Sequence, residues 1–168
     1  MIQISNVEQD EQLHEIERLA KIIWTEHYTP IIGSDQVMYM LDKYQSVATM
    51  QEQLKDGYQY FLVLNDQNES CGYLSVQPRE DGKVLFLSKI YVLSTCRGKG
   101  IGKKMMEYVV GLAKSINAEK IRLTVNKYNS GSIAAYHKMG FETVDSVNTD
   151  IGKGYFMDDY VLELPTNQ

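Results

Sequence analysis

Apolar and polar positions change their period several times along this chain, and each change marks a predicted element. Residues 1–7 (MIQISNV) alternate and read as an edge strand. From Glu8 to His27, Leu13, Ile16, Ala20 and Ile23 recur at helical spacing and form one apolar stripe. Tyr28-Thr-Pro30 is expected to break that helix, because proline disfavours helical backbone at the residue before it. Ser34 is predicted to cap a second helix through Tyr44, with Val37, Met38 and Leu41 inward. A third short helix, Ser46 to Asp56, closes at Gly57 as a left-handed C-cap. Then YQYFLVLN (58–65) and SCGYLSVQ (70–77) predict a β-hairpin, and Pro78 to Gly82 a turn.

The run Val84, Leu85, Phe86, Leu87, Ile90, Tyr91, Val92 is rich in β-formers and predicts a buried strand. A polar loop from Ser94 to Gly102 follows. Ile101, Met105, Tyr108, Val109, Leu112 and Ile116 then define one face of a long helix. IRLTV (121–125) predicts a strand and Ser130 to Met139 a helix. Strands at 141–147 and 155–164 are joined by a loop containing Gly152 and Gly154. There are no repeats, low-complexity segments or linkers. The order of elements is that of an α/β chain with a mixed sheet flanked by helices.

Strand, glycine loop and helix together make an anion site. Glycine lets the backbone approach a ligand, and the first helical N–H groups have no internal partner. Arg97, Lys99, Lys103 and Lys104 add positive charge among Gly98, Gly100 and Gly102. A Walker loop needs Gly-Lys followed by Ser or Thr, but Lys99 precedes Gly100 and Lys103 precedes Lys104. A dinucleotide fingerprint needs G-x-G-x-x-G, and Gly102 is followed directly by Lys103 with no acidic strand end further on. What remains, Arg97-Gly-Lys-Gly100-Ile-Gly102, resembles the R-x-x-G-x-G acyl-CoA pyrophosphate loop of the GNAT superfamily of N-acetyltransferases. Residues 129–141 (NSGSIAAYHKMGF) add a second likeness. Asn129, Ser132, Tyr136, Lys138, Gly140 and Phe141 match the pattern that GNAT proteins carry after their fifth strand. The likeness covers residues 60–164 well and the N-terminal third in outline.

The resemblance implies the GNAT fold, a mixed sheet of about seven strands flanked by about five helices, with residues 1–168 as one acetyltransferase domain. It implies acetyl-CoA as co-substrate and a primary amine as acceptor. Amides of residues 98–103 would take the diphosphate, with Arg97, Lys99 and Lys103 around it. The backbone of Ile90, Tyr91 and Val92 would pair with pantetheine, with the Val92 amide polarising the acetyl carbonyl. Asn129, Ser132 and Lys138 would add coenzyme contacts, Asn129 also serving as a helix N-cap. Tyr136 falls where the family places its general acid, and a phenol can give a proton to a departing thiolate. Many relatives carry a glutamate on the fourth strand as base, but here Leu85-Phe-Leu-Ser88-Lys89 has no carboxylate. Water, or Glu26, His27, Asp35, Asp158 or Asp159, would have to serve instead. His137 points about 100° from Tyr136 on a helix and is read as non-catalytic. An acyl-cysteine at Cys96 is rejected, because no His-Asp partner accompanies it.

Two aromatic and acidic stretches, Trp24 to Pro30 (with Trp24, Glu26, His27 and Tyr28) and Gly152 to Tyr160, resemble acceptor-side elements of bacterial GNAT proteins. These include a branch related to polyamine acetyltransferases, and they make a polyamine or other small amine the leading acceptor. Acetylation of protein amines and a non-catalytic acyl-CoA sensor are the alternatives. Net charge sharpens this. A formal charge of −5 argues against nonspecific nucleic-acid binding and suits a cationic partner. The chain of 168 residues is long enough for a real core. No membrane span, secretory leader or metal site is expected, and two cysteines do not make a disulfide framework. A cytoplasmic protein is the expectation, with a homodimer through an edge strand such as the last one left open.

Overall fold

The computed structural model describes residues 2–166. Seven strands and five helices follow one another: β1 (Gln3–Asn6), α1 (Asp10–Ile32), α2 (Ser34–Tyr44), α3 (Val47–Lys55), β2 (Gln59–Leu64), β3 (Ser70–Arg79), β4 (Val84–Val92), α4 (Ile101–Ser115), β5 (Lys120–Asn126), α5 (Ser130–Lys138), β6 (Glu142–Gly152) and β7 (Tyr155–Pro165). The sheet order is β1-β2-β3-β4-β5-β7-β6. β4 pairs with β5 in parallel, whereas β1–β2, β2–β3, β5–β7 and β7–β6 are antiparallel. The α/β expectation of seven strands and five helices is met.

The chain divides into two compact units, residues 2–77 with 88–109, and residues 78–87 with 110–166. In the first, the α1 stripe of Leu13, Ile16, Leu19, Ala20 and Ile23 is buried, as are Met50 of α3 and Met105 and Val109 of α4. β3 is buried from Cys71 to Val76 without alternation, the signature of a strand covered on both faces. Ser46 caps α3 by accepting from the Thr49 amide at 3.2 Å. In the second unit, Leu85, Ile121, Leu123 and Leu162 of the strands, and Phe141 in the turn before β6, are among the buried apolar residues. Arg122 is held between Glu80 and Glu163 at 2.7 Å each.

Several sequence expectations change. First, α1 runs through Pro30 to Ile32. The missing proline donor falls in the last turn, where losing one bond costs least, and the Trp24–Tyr28 ring pair at 4.4 Å holds the preceding turn. Gly33, with φ +86°, ends the helix instead and donates its N–H to Thr29 at 2.9 Å. Second, that glycine is also the N-cap of α2, so Ser34 is the first helical residue rather than the cap. Third, β3 continues through Pro78 to Arg79, and the turn narrows to Glu80–Gly82, all with positive φ. Fourth, β7 lies between β5 and β6, so the sheet edges are β1 and β6 and the last strand offers no free edge. The β6–β7 connection shrinks to Lys153–Gly154, whose φ values of +53° and +81° are those of a two-residue hairpin turn.

One close backbone approach sets the end of β4. At Gly72 of β3 an added Cβ would lie 2.5 Å from the Tyr91 carbonyl oxygen and 3.4 Å from the Val92 Cα. Backbone atoms cannot yield as a side chain can. Gly72→Ala is therefore expected to destabilise the protein by about 1–3 kcal/mol, the range for overpacking, read as a lower urea midpoint. An unchanged midpoint would show that β4 shifts freely at Tyr91.

Candidate active site

In the first unit the site grows from the last residues of β4. The Leu93 amide donates to the Cys71 carbonyl on β3 at 2.9 Å. Successive peptide groups of a strand face opposite edges, so the amides of Val92 and Ile90 turn to the edge away from β3. The Tyr91 carbonyl, one of the three expected pantetheine contacts, lies against Gly72 instead. The chain then makes a single 3-10 turn, Ser94–Cys96, closed by the Cys96 amide donating to the Leu93 carbonyl at 3.0 Å.

The loop beyond it is shaped for an anion. Gly98 and Gly100 take φ of +82° and +74°, which a side chain would resist, and a Cβ at 98, 100 or 102 would meet nothing within 4 Å. The first internal bond of α4 runs from the Lys104 amide to Gly100 at 3.1 Å. The amides of Ile101, Gly102 and Lys103 precede it and have no intrahelical acceptor. Arg97, Lys99, Lys103 and Lys104 are all exposed around them. Open backbone, amides at a helix start and four cations fit a diphosphate.

The acceptor-side residues of α1 behave differently from one another. Trp24 is buried, with its ring 4.4 Å from Tyr28 and 5.8 Å from Tyr91, so it supports the site rather than lining it. His27 sits edge-on to Tyr28 at 4.8 Å. Glu26 is exposed and accepts a hydrogen bond from the Ser94 hydroxyl at 2.8 Å, which brings a carboxylate to the end of β4. Asp35 stands exposed in the first turn of α2.

In the second unit, Asn129 occupies the N-cap position of α5 and is buried, but its side chain makes no capping bond. The capping half of that expectation fails, because the backbone at ψ 65° aims the side chain elsewhere. Tyr136 and Ser132 are half-buried on α5, and the Tyr136 ring packs 5.7 Å from Phe141. Lys138 is exposed. His137 meets the Thr143 hydroxyl at 3.0 Å. Asp158 pairs with Lys127 at 2.9 Å. Its neighbour Asp159 is 6% exposed. Burial, and then the Asp158 charge, push the Asp159 carboxyl up to about 6, against a smaller pull from Lys127.

Residues 13–141 match the acetyltransferase (GNAT) family. The chain belongs to that family. It is an acetyl-CoA-dependent N-acetyltransferase. It is 26% identical over 133 residues to an uncharacterised N-acetyltransferase of Mycobacterium bovis, covering 79% of this chain and 84% of that one. It is 28% identical over 96 residues to a peptidyl-lysine N-acetyltransferase of Salmonella typhimurium, covering 56% of this chain and 59% of the relative. The PaiA N-acetyltransferase of Thermoplasma acidophilum, solved with coenzyme A, shares the fold with a TM-score of 0.80 at 19% identity, over 98% of this chain and 99% of that one. A spermidine/spermine N-acetyltransferase of Vibrio cholerae shares it with a TM-score of 0.70 at 16% identity, over 99% and 95%. Among the described residues no helix is long and apolar enough to cross a membrane, and no group of three or more His, Cys, Asp or Glu could hold a metal.

Sequence reading passed over Lys89. It lies buried one residue before Ile90, with its ammonium on the Tyr60 hydroxyl and on Gln53 Oε1 at 3.1 Å. The signal was present: Leu85, Leu87, Lys89 and Tyr91 share one face of β4, and a lone lysine there interrupts an apolar row. Burial lowers the Lys89 ammonium to about 7. The charged form is penalised only in the folded chain, so between about 7 and 10.5 the unfolded chain binds more protons and stability rises with pH. Wild type is expected to gain on Lys89→Met as pH climbs from about 6.5 to 9 in urea titrations. Parallel curves would remove Lys89 as the titrating group.

Proposed function

We propose that the chain acetylates a small primary amine, a polyamine foremost, by direct attack of that amine on acetyl-CoA. One observation carries the reading: the edge of β4 that faces away from β3 leads straight into open glycine backbone and four exposed cations. Residues 1–168 act as one catalytic domain in this reading. Acetyl-CoA supplies the thioester whose acetyl group is transferred.

The chain's own groups then have distinct tasks. Amides of residues 98–103, with Arg97, Lys99 and Lys103, take the diphosphate, and Asn129, Ser132 and Lys138 add contacts along the coenzyme. The Val92 amide offers a hydrogen bond to the acetyl oxygen, where negative charge develops. Tyr136 Oη gives the proton that the departing sulfur needs.

Asp159 accepts the proton from the ammonium of the acceptor. With its carboxyl near 6 it is largely ionised at neutral pH, yet more basic than an ordinary aspartate. It replaces the missing fourth-strand glutamate. Asp158 is already neutralised by Lys127, so Glu26 and Asp35 are the exposed carboxylates left to draw a cationic acceptor.

Tyr136→Phe is expected to lower turnover about 10²-fold while leaving acetyl-CoA affinity near wild type, measured by steady-state rates and calorimetry. Equal turnover at saturation would remove Tyr136 as the acid.

Asp159→Asn should abolish the rise of wild-type rate through about pH 6, with spermidine as acceptor. Superimposable pH profiles would clear Asp159 of the role. Faster acetylation of lysine peptides than of spermidine would move the acceptor to protein amines. No turnover of either would favour the acyl-CoA sensor.

A further inference from the structure

The first unit holds two cysteines that this chemistry does not use. Cys71 lies in β3 and is fully buried, whereas Cys96 closes the 3-10 turn, half-buried, one residue before Arg97. Both are free thiols. Leu93 ties them together through its backbone, donating to the Cys71 carbonyl at 2.9 Å and accepting from the Cys96 amide at 3.0 Å. Burial first, and then Cys96, push the Cys71 thiol up to about 11, while Lys99 of the loop pulls the other way. A buried cysteine and a more exposed one are thus held on the same residue, Leu93, at the foot of the cationic loop.

We propose that Cys71 and Cys96 form a hydroperoxide-sensitive pair whose closure to an intramolecular disulfide weakens acetyl-CoA binding at the adjoining loop. The coupling to the coenzyme rests on the loop assignment proposed above. The Cys96 thiolate attacks one oxygen of the hydroperoxide. An S–O bond forms, the O–O bond breaks, and the leaving oxygen takes a proton to become water or an alcohol. Cys71 sulfur then attacks the resulting sulfenic sulfur. The S–S bond forms, the S–O bond breaks, and hydroxide leaves as water with the Cys71 proton. Two thiols lose two electrons in total and the hydroperoxide gains them.

The bond changes the geometry beside the loop. An S–S bond of about 2 Å is shorter than any non-bonded contact between sulfurs, so closure draws the 3-10 turn toward β3. Arg97 and Gly98 follow directly in the chain and move with it. Amide donors tolerate little misalignment before their hydrogen bonds weaken. Cys96 therefore reads the oxidant, and the peptide at 97–98 transmits the result.

The test uses the whole protein, treated with a small excess of hydrogen peroxide that is then removed. Intact mass, thiol titration and calorimetry against acetyl-CoA follow; free CoA is avoided because its thiol would reduce the bond. The expected result is a mass lower by about 2 Da, no titratable thiol in the unfolded protein, a 71–96 crosslink on peptide mapping, and about tenfold weaker binding. Dithiothreitol should reverse all four. Cys96→Ser, at the more exposed of the two sites, should bind acetyl-CoA like reduced wild type and keep that affinity after peroxide. Oxygen additions at Cys96 without loss of Cys71, a crosslink between chains, or a disulfide with unchanged affinity would each overturn the proposal. If reduced wild type does not bind acetyl-CoA, the loop assignment fails and the coupling falls with it, while mass and thiol count still decide the disulfide.

Discussion

A single backbone hydrogen bond, from the Leu93 amide to the Cys71 carbonyl, governs the geometry of the first unit's site. It fixes which peptide groups at the end of β4 face β3 and which face away. The turn at Ser94–Cys96 is closed on the same residue, through the Leu93 carbonyl. Gly72 makes the contact feasible, because any side chain there would strike the Tyr91 carbonyl. The direction of the Val92 amide and the starting point of the glycine loop are therefore consequences of strand pairing. The role proposed for the Val92 amide requires this, since a backbone donor is useful only when held in place before charge develops.

Behind that strand end the protein buries polar groups without burying a carboxylate beside them. Lys89, Tyr60 and Gln53 satisfy one another, and the Tyr73 hydroxyl donates to Gln45 at 2.9 Å. Burial raises the Tyr60 and Tyr73 hydroxyls above their ordinary range and lowers the Lys89 ammonium, so each shift favours the neutral form. A network whose ionisable members are each shifted toward the neutral form carries less of the desolvation cost of a buried ion pair. The rings of Tyr73, Tyr91 and Trp24 pack against one another at 5.3 and 5.8 Å, which stiffens the strand without adding charge.

Charge is handled by contrast on the last strand. Asp158 and Asp159 are neighbours in sequence but alternate across β7, and only Asp158 is paired with a cation. Removing a carboxylate from water raises its proton affinity, and a neighbouring anion raises it further. One pair of identical residues thus yields a group paired with Lys127 and a buried carboxyl raised to about 6. The Asp159 backbone pairs with Asn126, whose carbonyl accepts from Asn129 at 3.0 Å, so this carboxylate and the start of α5 share one anchor.

The sequence alone determined the family, the order of elements and the glycine loop between β4 and α4. Period, glycine spacing and the residues 129–141 depend on neighbours within a few positions, which a chain displays directly. It also placed Pro30 as a break, which tertiary packing overrode, since ring contacts and the α1–α2 contact outweigh one missing donor. Only the folded structure decided that Lys89 is buried, that Glu26 reaches Ser94, that Asp158 and Asp159 part ways, and that Leu93 ties Cys71 to Cys96. Nothing in the local sequence around the last three sets of residues marks their environment, because desolvation and pairing depend on distances between segments far apart in the chain. No local pattern encodes those distances, so the properties that tune acidity and reactivity emerge only after the strands have met.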